Sequence, residues 1–405
     1  MVIITTAYSY QLRRQAIRYY QLTEPFLTLG GSLSTANTIT PTKHIAELES
    51  IRGIAALLVA LFHAPGWYPQ KQFIPIIANG YLMVDLFFVI SGYVIFQAYY
   101  QNINTASQFW RFQLLRFGRL YPVHICILAY LLVTTVVPFS QTNWEALLQQ
   151  LFLLQAIGPW GHPISFNFPA WSISVEFYTY AVFGLIVLYA KQRSMWIFFA
   201  LATLALWCLN PSADRGLDDM AASYSQLWRC WAGFFIGAIG AYFAQKIRWR
   251  WPASSVTVST ILMILFLQFK PNGLYDPLIY FITLFLILSI SLSPMGFVKK
   301  ILLLPILKWL GKISYSLYMV QLIAVGIVWD LFQHNLLYQR SGLKWLESYL
   351  HTSFQEPNTP LIIFICYLTY VLVLLILAWL LFALIEKPCR ELSRRYLQAP
   401  KLITP

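Results

Sequence analysis

Charge is scarce in this chain, and acid is the scarcer sign: 15 Asp and Glu stand against 28 Lys and Arg in 405 residues, so only 11% of the chain is charged. A soluble domain carries about 25% charged residues, and a shortfall of that size excludes an ordinary water-facing surface. Cysteine is sparse too. Cys126, Cys208, Cys230, Cys366 and Cys389 lie in or beside apolar stretches. Their spacing offers neither a metal-ligand pattern nor a pairing logic, which leaves buried thiols rather than a disulfide scaffold. Internal repeats, low-complexity tracts and extended linkers are missing as well, which excludes a solenoid or a string of soluble modules. The first 43 or so residues show no uninterrupted apolar run ahead of a small-residue cleavage site, so no secretory signal is expected there.

What the chain has instead is apolar length. Hydrophobic residues make up 59% of it, with a mean hydropathy of +0.61. A spanning helix needs about 20 mostly apolar residues. Ten stretches approach that template: 50–68, 80–100, 120–139, 171–190, 194–209, 226–244, 254–269, 274–292, 313–332 and 360–385. The fold expected is an all-α, polytopic transmembrane bundle of about ten spanning helices. Residues 1–44 form an extension before it, 45–395 the membrane domain and 396–405 a tail. Pro122 is expected near the start of the third helix. Lys270-Pro271-Asn272-Gly273 reads as a tight hairpin, because Asn-Gly tolerates positive φ. The segment 144–157 is too short to span, carries Gln149, Gln150 and Gln155, and reads as interfacial or re-entrant.

The net charge of +13 raises nucleic acid as a partner. Its distribution argues against that, because the cations fall in short clusters between apolar runs rather than in one patch. With the N-terminus inside and ten spans, 22 of the 28 Lys and Arg lie on the inner side. That bias is the positive-inside pattern and places both termini in the cytoplasm. Gln11–Tyr20, basic and aromatic, suits the cytoplasmic leaflet or equally a disordered tail.

Ionisable residues inside a membrane cost at least about 2.5 kcal/mol each on insertion scales, so the ones present point to function. Arg52 and His63 lie eleven residues apart in the first helix, on one face and about 16 Å apart along the axis. An inner flank and an interfacial histidine are the plainer readings. Ser91-Gly92 in the second helix permits close helix approach. Arg111, Arg116 and Arg119 could grip phosphates, or serve only as cationic flanks. Glu176, one turn into the fourth helix, has the chemistry to orient a histidine base. Trp160, Phe166, Phe168 and Trp171 suit either sugar stacking or an interfacial aromatic belt.

Four segments in order resemble the membrane-bound acyltransferase 3 family of O-acyltransferases. They are Glu49, Arg52 and His63, with Glu where the family has Asp; Phe87 to Tyr93; Arg116, Arg119, Tyr121 and Pro122; and Trp171, Ser172, Glu176 and Tyr178. Weaker matches are Gly311 to Tyr318 and Glu386-Lys387-Pro388, so the resemblance runs from about Ile45 to Arg395. One departure is Gln321, where many members carry His. The resemblance implies a stand-alone membrane domain that transfers an acyl group, commonly acetyl, from acetyl-CoA or another acyl-CoA to a carbohydrate or glycan hydroxyl, with no metal, in a bacterial inner (plasma) membrane. His63 would be the general base, with Glu176 orienting it or the acceptor and Glu49 orienting Arg52. Arg52, Arg116 and Arg119 would hold the donor's phosphates, with Arg111, Ser91 and Gly92 as lesser contributors.

A transporter or flippase of a lipid-linked sugar is the alternative. It predicts inverted repeats with broken helices, whereas the polar residues here crowd into the first four helices. A scaffold without chemistry leaves the buried Glu49, Arg52, His63 and Glu176 unexplained. The orientation is directly testable: a fluorescent protein fused after Pro405 should fluoresce and alkaline phosphatase fused there should be inactive, and the opposite pattern would invert the topology.

Overall fold

The computed structural model describes residues 45–64, 74–134, 141–212, 216–217, 225–333 and 360–397. The N-terminal extension lies outside these residues, as does the end of the tail. Twelve helices matter here. They are α1 Ala46–Phe62, α2 Met83–Tyr99, α3 Ala106–Val133, α4 Gln141–Leu151, α5 Trp171–Ala190, α6 Ser194–Leu209, α7 Gln226–Lys246, α8 Ser254–Phe269, α9 Leu278–Leu292, α10 Pro305–Gln333, α11 Pro360–Leu381 and α12 Lys387–Leu397. Each of the ten apolar stretches is mainly helical over its described residues, and no strand occurs among the described residues. Six helical stretches are long and apolar enough to cross a membrane, one of them containing α5 and α6 in succession. α8 and α9 are apolar but shorter. The chain is an integral membrane protein built as a helical bundle.

In lipid, apolar burial does not drive helices together, so association depends on close packing and interhelical hydrogen bonds. The longest contacts, α2 with α7 and α1 with α10, are made through glycines. A Cβ on Gly92 would strike the backbone of Phe234, and one on Gly237 the backbone of Val89. Gly53 and Gly311 bring α1 and α10 together in the same way, each abutting the other helix's backbone. α11 packs on α10, and its Tyr370 donates to the Ala60 carbonyl of α1 at 2.9 Å.

Four sequence expectations are corrected. The third helix starts at Ala106, well before residue 120, because Thr105 and Gln108 form a capping box that nucleates it in the polar segment. Pro122 therefore lies inside α3, where it leaves the carbonyl four residues earlier, that of Gly118, without a helical donor. The 270–273 turn does not use positive φ. Asn272 is extended and its side chain accepts from Leu274 N, capping a 3-10 turn ahead of α9. The last apolar helix does not end at 385: a π turn over Phe382–Glu386 carries it into α12, which packs on α3.

The glutamine-bearing segment folds back rather than crossing. After α4 the chain returns through turns to a 3-10 turn at Phe168–Ala170. Gln149 donates to the Trp160 carbonyl and accepts from His162 N, Gln150 donates to the Ser165 carbonyl, and Gln155 to the Ala170 carbonyl. The three amides thus satisfy a loop that would otherwise leave backbone groups unmet.

At the end of the bundle near residue 217, Arg229 forms a buried fork with Asp85 at 2.7 and 3.2 Å, and Tyr280 donates to the same carboxylate at 2.9 Å. The guanidinium also donates to the Leu217 carbonyl and lies 5.0 Å from the Trp171 ring centroid. Lys270 meets Asp276 at 2.5 Å, and Asp276 also accepts from Leu217 N and Tyr81. Removing one partner of a buried pair typically costs about 3–5 kcal/mol, while replacing both by apolar groups is often neutral. Arg229→Met should therefore melt well below the wild type in detergent, and Arg229→Met with Asp85→Leu should recover much of the loss. Equal melting of Arg229→Met and wild type would show that the pair carries no such weight.

Candidate functional site

Four helices place polar side chains around one central cavity of about 560 Å³. α1 supplies Arg52, α3 supplies Arg119, α5 supplies Ser172, Glu176 and Tyr180, and α10 supplies Ser314, Tyr315 and Tyr318. Val84, Phe87 and Phe88 of α2 make an apolar wall. The cavity thus pairs two cations and one carboxylate with several hydroxyls. Among the described residues the guanidiniums of Arg52 and Arg119 make no hydrogen bond or ion pair.

Glu176 is held from two sides. Ser91 Oγ donates to its Oε1 at 2.5 Å, and Tyr180 OH donates to the same oxygen at 2.5 Å. Tyr180 lies one helical turn after Glu176, so a single helix face fixes the pair. Ser91 and Tyr180 also meet each other at 2.8 Å. The Tyr318 and Tyr315 hydroxyls donate to the Pro169 and Leu120 carbonyls, so the α10 side of the cavity is anchored to α3 and to the turn before α5.

A second cavity of about 360 Å³ lies beside the first and shares Arg119 with it. Tyr99, Leu115, Arg116, Arg390 and Arg394 complete its lining. Arg116 donates to Tyr99 OH at 3.0 Å and lies 5.2 Å from that ring's centroid. Glu386 accepts from Ser316 at 2.7 Å and stands 3.7 Å from Arg390. The two weaker sequence motifs therefore meet each other directly.

His63 stands apart from both cavities. It follows the last turn of α1, its Nδ1 lies 2.9 Å from the Val59 carbonyl, and its ring contacts Phe62 and Phe168 at 4.9 and 5.7 Å. Phe168 precedes Glu176 by eight residues, which is roughly 12 Å of helical rise. The imidazole and the carboxylate are therefore placed at different depths, with Arg52 beside the carboxylate. Gly92 serves the α2–α7 contact, and Ser91 serves Glu176 rather than a cavity wall. Arg111 is exposed and lines neither cavity. Glu49 stands one turn before Arg52, its carbonyl against Gly311. Trp171 is buried beneath Arg229, which removes it from any sugar-stacking surface. Gln321 is fully buried with both amide atoms unpartnered.

Sequence reasoning missed Tyr180, Arg390 and Arg394. Tyr180 carried a signal, an aromatic hydroxyl four residues after an intramembrane carboxylate. The two arginines read only as flanking charge.

Comparison with known proteins agrees with the family resemblance. The profile of the acyltransferase 3 family, described as an acyltransferase domain, matches residues 45–380. The acyltransferase MdmB of Streptomyces mycarofaciens is 28% identical over 255 residues, which is 54% of this chain and 62% of that protein. A protein described as a membrane-bound transacylase, BcsY of Komagataeibacter xylinus, is 26% identical over 308 residues, 70% of this chain and 73% of that one. A protein described as an O-acetyltransferase in Staphylococcus aureus is 24% identical over 323 residues, 71% and 51% of the two chains. The matched part of this chain thus spans between about half and three quarters of these relatives' own lengths. No solved structure matches the chain.

Proposed function

Because this chain belongs to the acyltransferase 3 family, we propose that it is an integral-membrane O-acyltransferase, moving an acyl group (acetyl by default) from cytoplasmic acyl-CoA to a hydroxyl of a carbohydrate. The observation that carries this reading is the pair of adjoining cavities joined by Arg119. An arginine-lined mouth suits the phosphates of the donor. The central cavity beyond it has an apolar wall and a fixed carboxylate, which suits the arm that carries the thioester. The bacterial relatives support a bacterial inner membrane, and the cationic bias of the loops supports both termini in the cytoplasm.

His63 is the general base in this reading. A carbonyl can only accept, so the 2.9 Å contact with Val59 puts the proton on Nδ1 and leaves Nε2 as the basic nitrogen. That nitrogen takes the proton of the acceptor hydroxyl, and the oxygen attacks the thioester carbonyl. The C–S bond then breaks, and the thiolate leaves and is protonated, with His63 returning its proton to the pool. Arg52 and Arg119 hold the donor along its path. Glu176, fixed by Ser91 and Tyr180, holds the donor's arm on its way to His63.

General acid–base groups contribute about 10²–10⁴-fold. In membranes supplied with labelled acetyl-CoA and a glycan pool, His63→Ala at matched protein level should lower labelling by about two orders of magnitude or more. Glu176→Gln keeps the shape but weakens the two hydrogen bonds, and should lower it about tenfold. Labelling unchanged in His63→Ala with complete loss in Glu176→Gln would move the base to the carboxylate. Absence of any labelling by wild type would sink the enzymatic reading and favour sugar transport.

A further inference from the structure

The arginine pocket is built from two parts of the chain that are far apart in sequence, and one of them lies outside the family match. Arg116 and Arg119 come from α3, inside the matched residues 45–380, whereas Arg390 and Arg394 come from α12, beyond them. Arg390 and Arg394 are one turn apart and share a face, as Arg116 and Arg119 do. The two faces meet because Gly118 lets α12 approach: a Cβ there would collide with the Ser393 side chain.

The charges do not balance internally. Five arginines surround the two cavities, Arg52, Arg116, Arg119, Arg390 and Arg394, and the carboxylates beside them are Glu49, Glu176 and Glu386. Donors are also left over. Nε of Arg116 and Nε of Arg390 are buried without an acceptor, and Arg394 makes no hydrogen bond or ion pair among the described residues. Arg116 is held in place by Tyr99, which fixes its guanidinium before any ligand arrives. Clustered guanidiniums with spare donors match a ligand carrying more than one phosphate, because each fork pairs with phosphate oxygens by charge-assisted hydrogen bonds.

We propose that α12 is the second jaw of a phosphate clamp, with Arg390 and Arg394 binding the phosphate-bearing half of a nucleotide-type donor against Arg116 and Arg119. The assignment of that ligand as the donor rests on the acyltransferase reading. The shared chemistry is a phosphate cluster, which an anionic lipid headgroup also presents.

The test uses the full chain in nanodiscs of neutral lipid and measures the affinity for adenosine 3′,5′-bisphosphate. That probe carries the phosphates but no thioester, so its binding is read independently of whether the protein transfers an acyl group. Arg390→Gln and Arg394→Gln should each weaken binding about tenfold or more, the usual consequence of losing a charge-assisted contact. Arg394→Lys should fall between these and wild type, because it keeps the charge and loses the fork. Arg394 is exposed and makes no internal bond, so its loss should leave the thermal midpoint unchanged without ligand. Arg395 is the control: it is equally exposed on the same helix but does not line the pocket. An equal loss in Arg395→Gln would reduce the effect to general surface charge and overturn the clamp. So would wild-type affinity in Arg394→Gln, or no binding by wild type at all. If phosphatidylglycerol in the discs stabilises wild type and not Arg394→Gln, while the bisphosphate binds neither, the pocket is a headgroup site and the donor assignment falls.

Discussion

Contact between helix backbones at glycine is the constraint on which the rest of this structure depends. In water, apolar side chains would draw α1, α2, α7 and α10 together. In lipid that drive is absent, and the helices must fit closely enough for dispersion and short polar bonds to hold them. Gly92 and Gly237 close α2 on α7, and Gly53 and Gly311 close α1 on α10. The functional side chains sit immediately beside these contacts. Ser91, which holds Glu176, precedes Gly92, and Arg52 precedes Gly53. A looser bundle would widen the central cavity and break the 2.5 Å bonds that fix the carboxylate.

Polar groups then do at the two ends what glycine does in the middle. Asp85, Arg229, Tyr280, Lys270 and Asp276 hold the backbone of Leu217 by both its N–H and its C=O. Each buried ion has lost its water and is compensated only by a full set of partners. At the arginine-rich end the compensation is incomplete, since guanidinium donors outnumber the acceptors around them. The contrast separates a cluster that completes itself within the fold from one open to a ligand.

The helices were readable from the sequence because length and apolarity are local properties, and each of the ten stretches contains a helix among the described residues. Boundaries failed where a polar signal outweighed the apolar one, as at the Thr105 capping box that starts α3 before the apolar run. The three glutamines marked a segment that does not cross, and their partners, the backbone carbonyls of a returning loop, could not be foreseen because the loop has no periodicity. In the site, Arg52, Arg119 and Glu176 were each visible as ions tolerated at depth, but their meeting in one cavity is a matter of helix packing. The depth of His63 relative to Glu176 is likewise not a local property, because it depends on the loop that leads into α5. His63 touches Phe168, which precedes Glu176 by eight residues, roughly 12 Å of helical rise. Arg390 and Arg394 were indistinguishable from ordinary cationic flanks, since only the folding of α12 onto α3 sets them apart.

The π turn at Phe382–Glu386 decides which way that last helix faces. A π turn is in effect one residue inserted into an α-helix, and each residue advances an α-helix by about 100°. Everything after Glu386 is therefore rotated by about a quarter turn relative to the apolar stripe of α11. The rotation sets the phase between a greasy helix and a basic one that runs on from it without a loop. Deleting a single residue between 382 and 386 would reset that phase. The helix would continue unbroken, but Arg390 and Arg394 would swing around its axis, away from Arg116 and Arg119. The register of one turn thus acts as a rotary setting for the mouth of the protein.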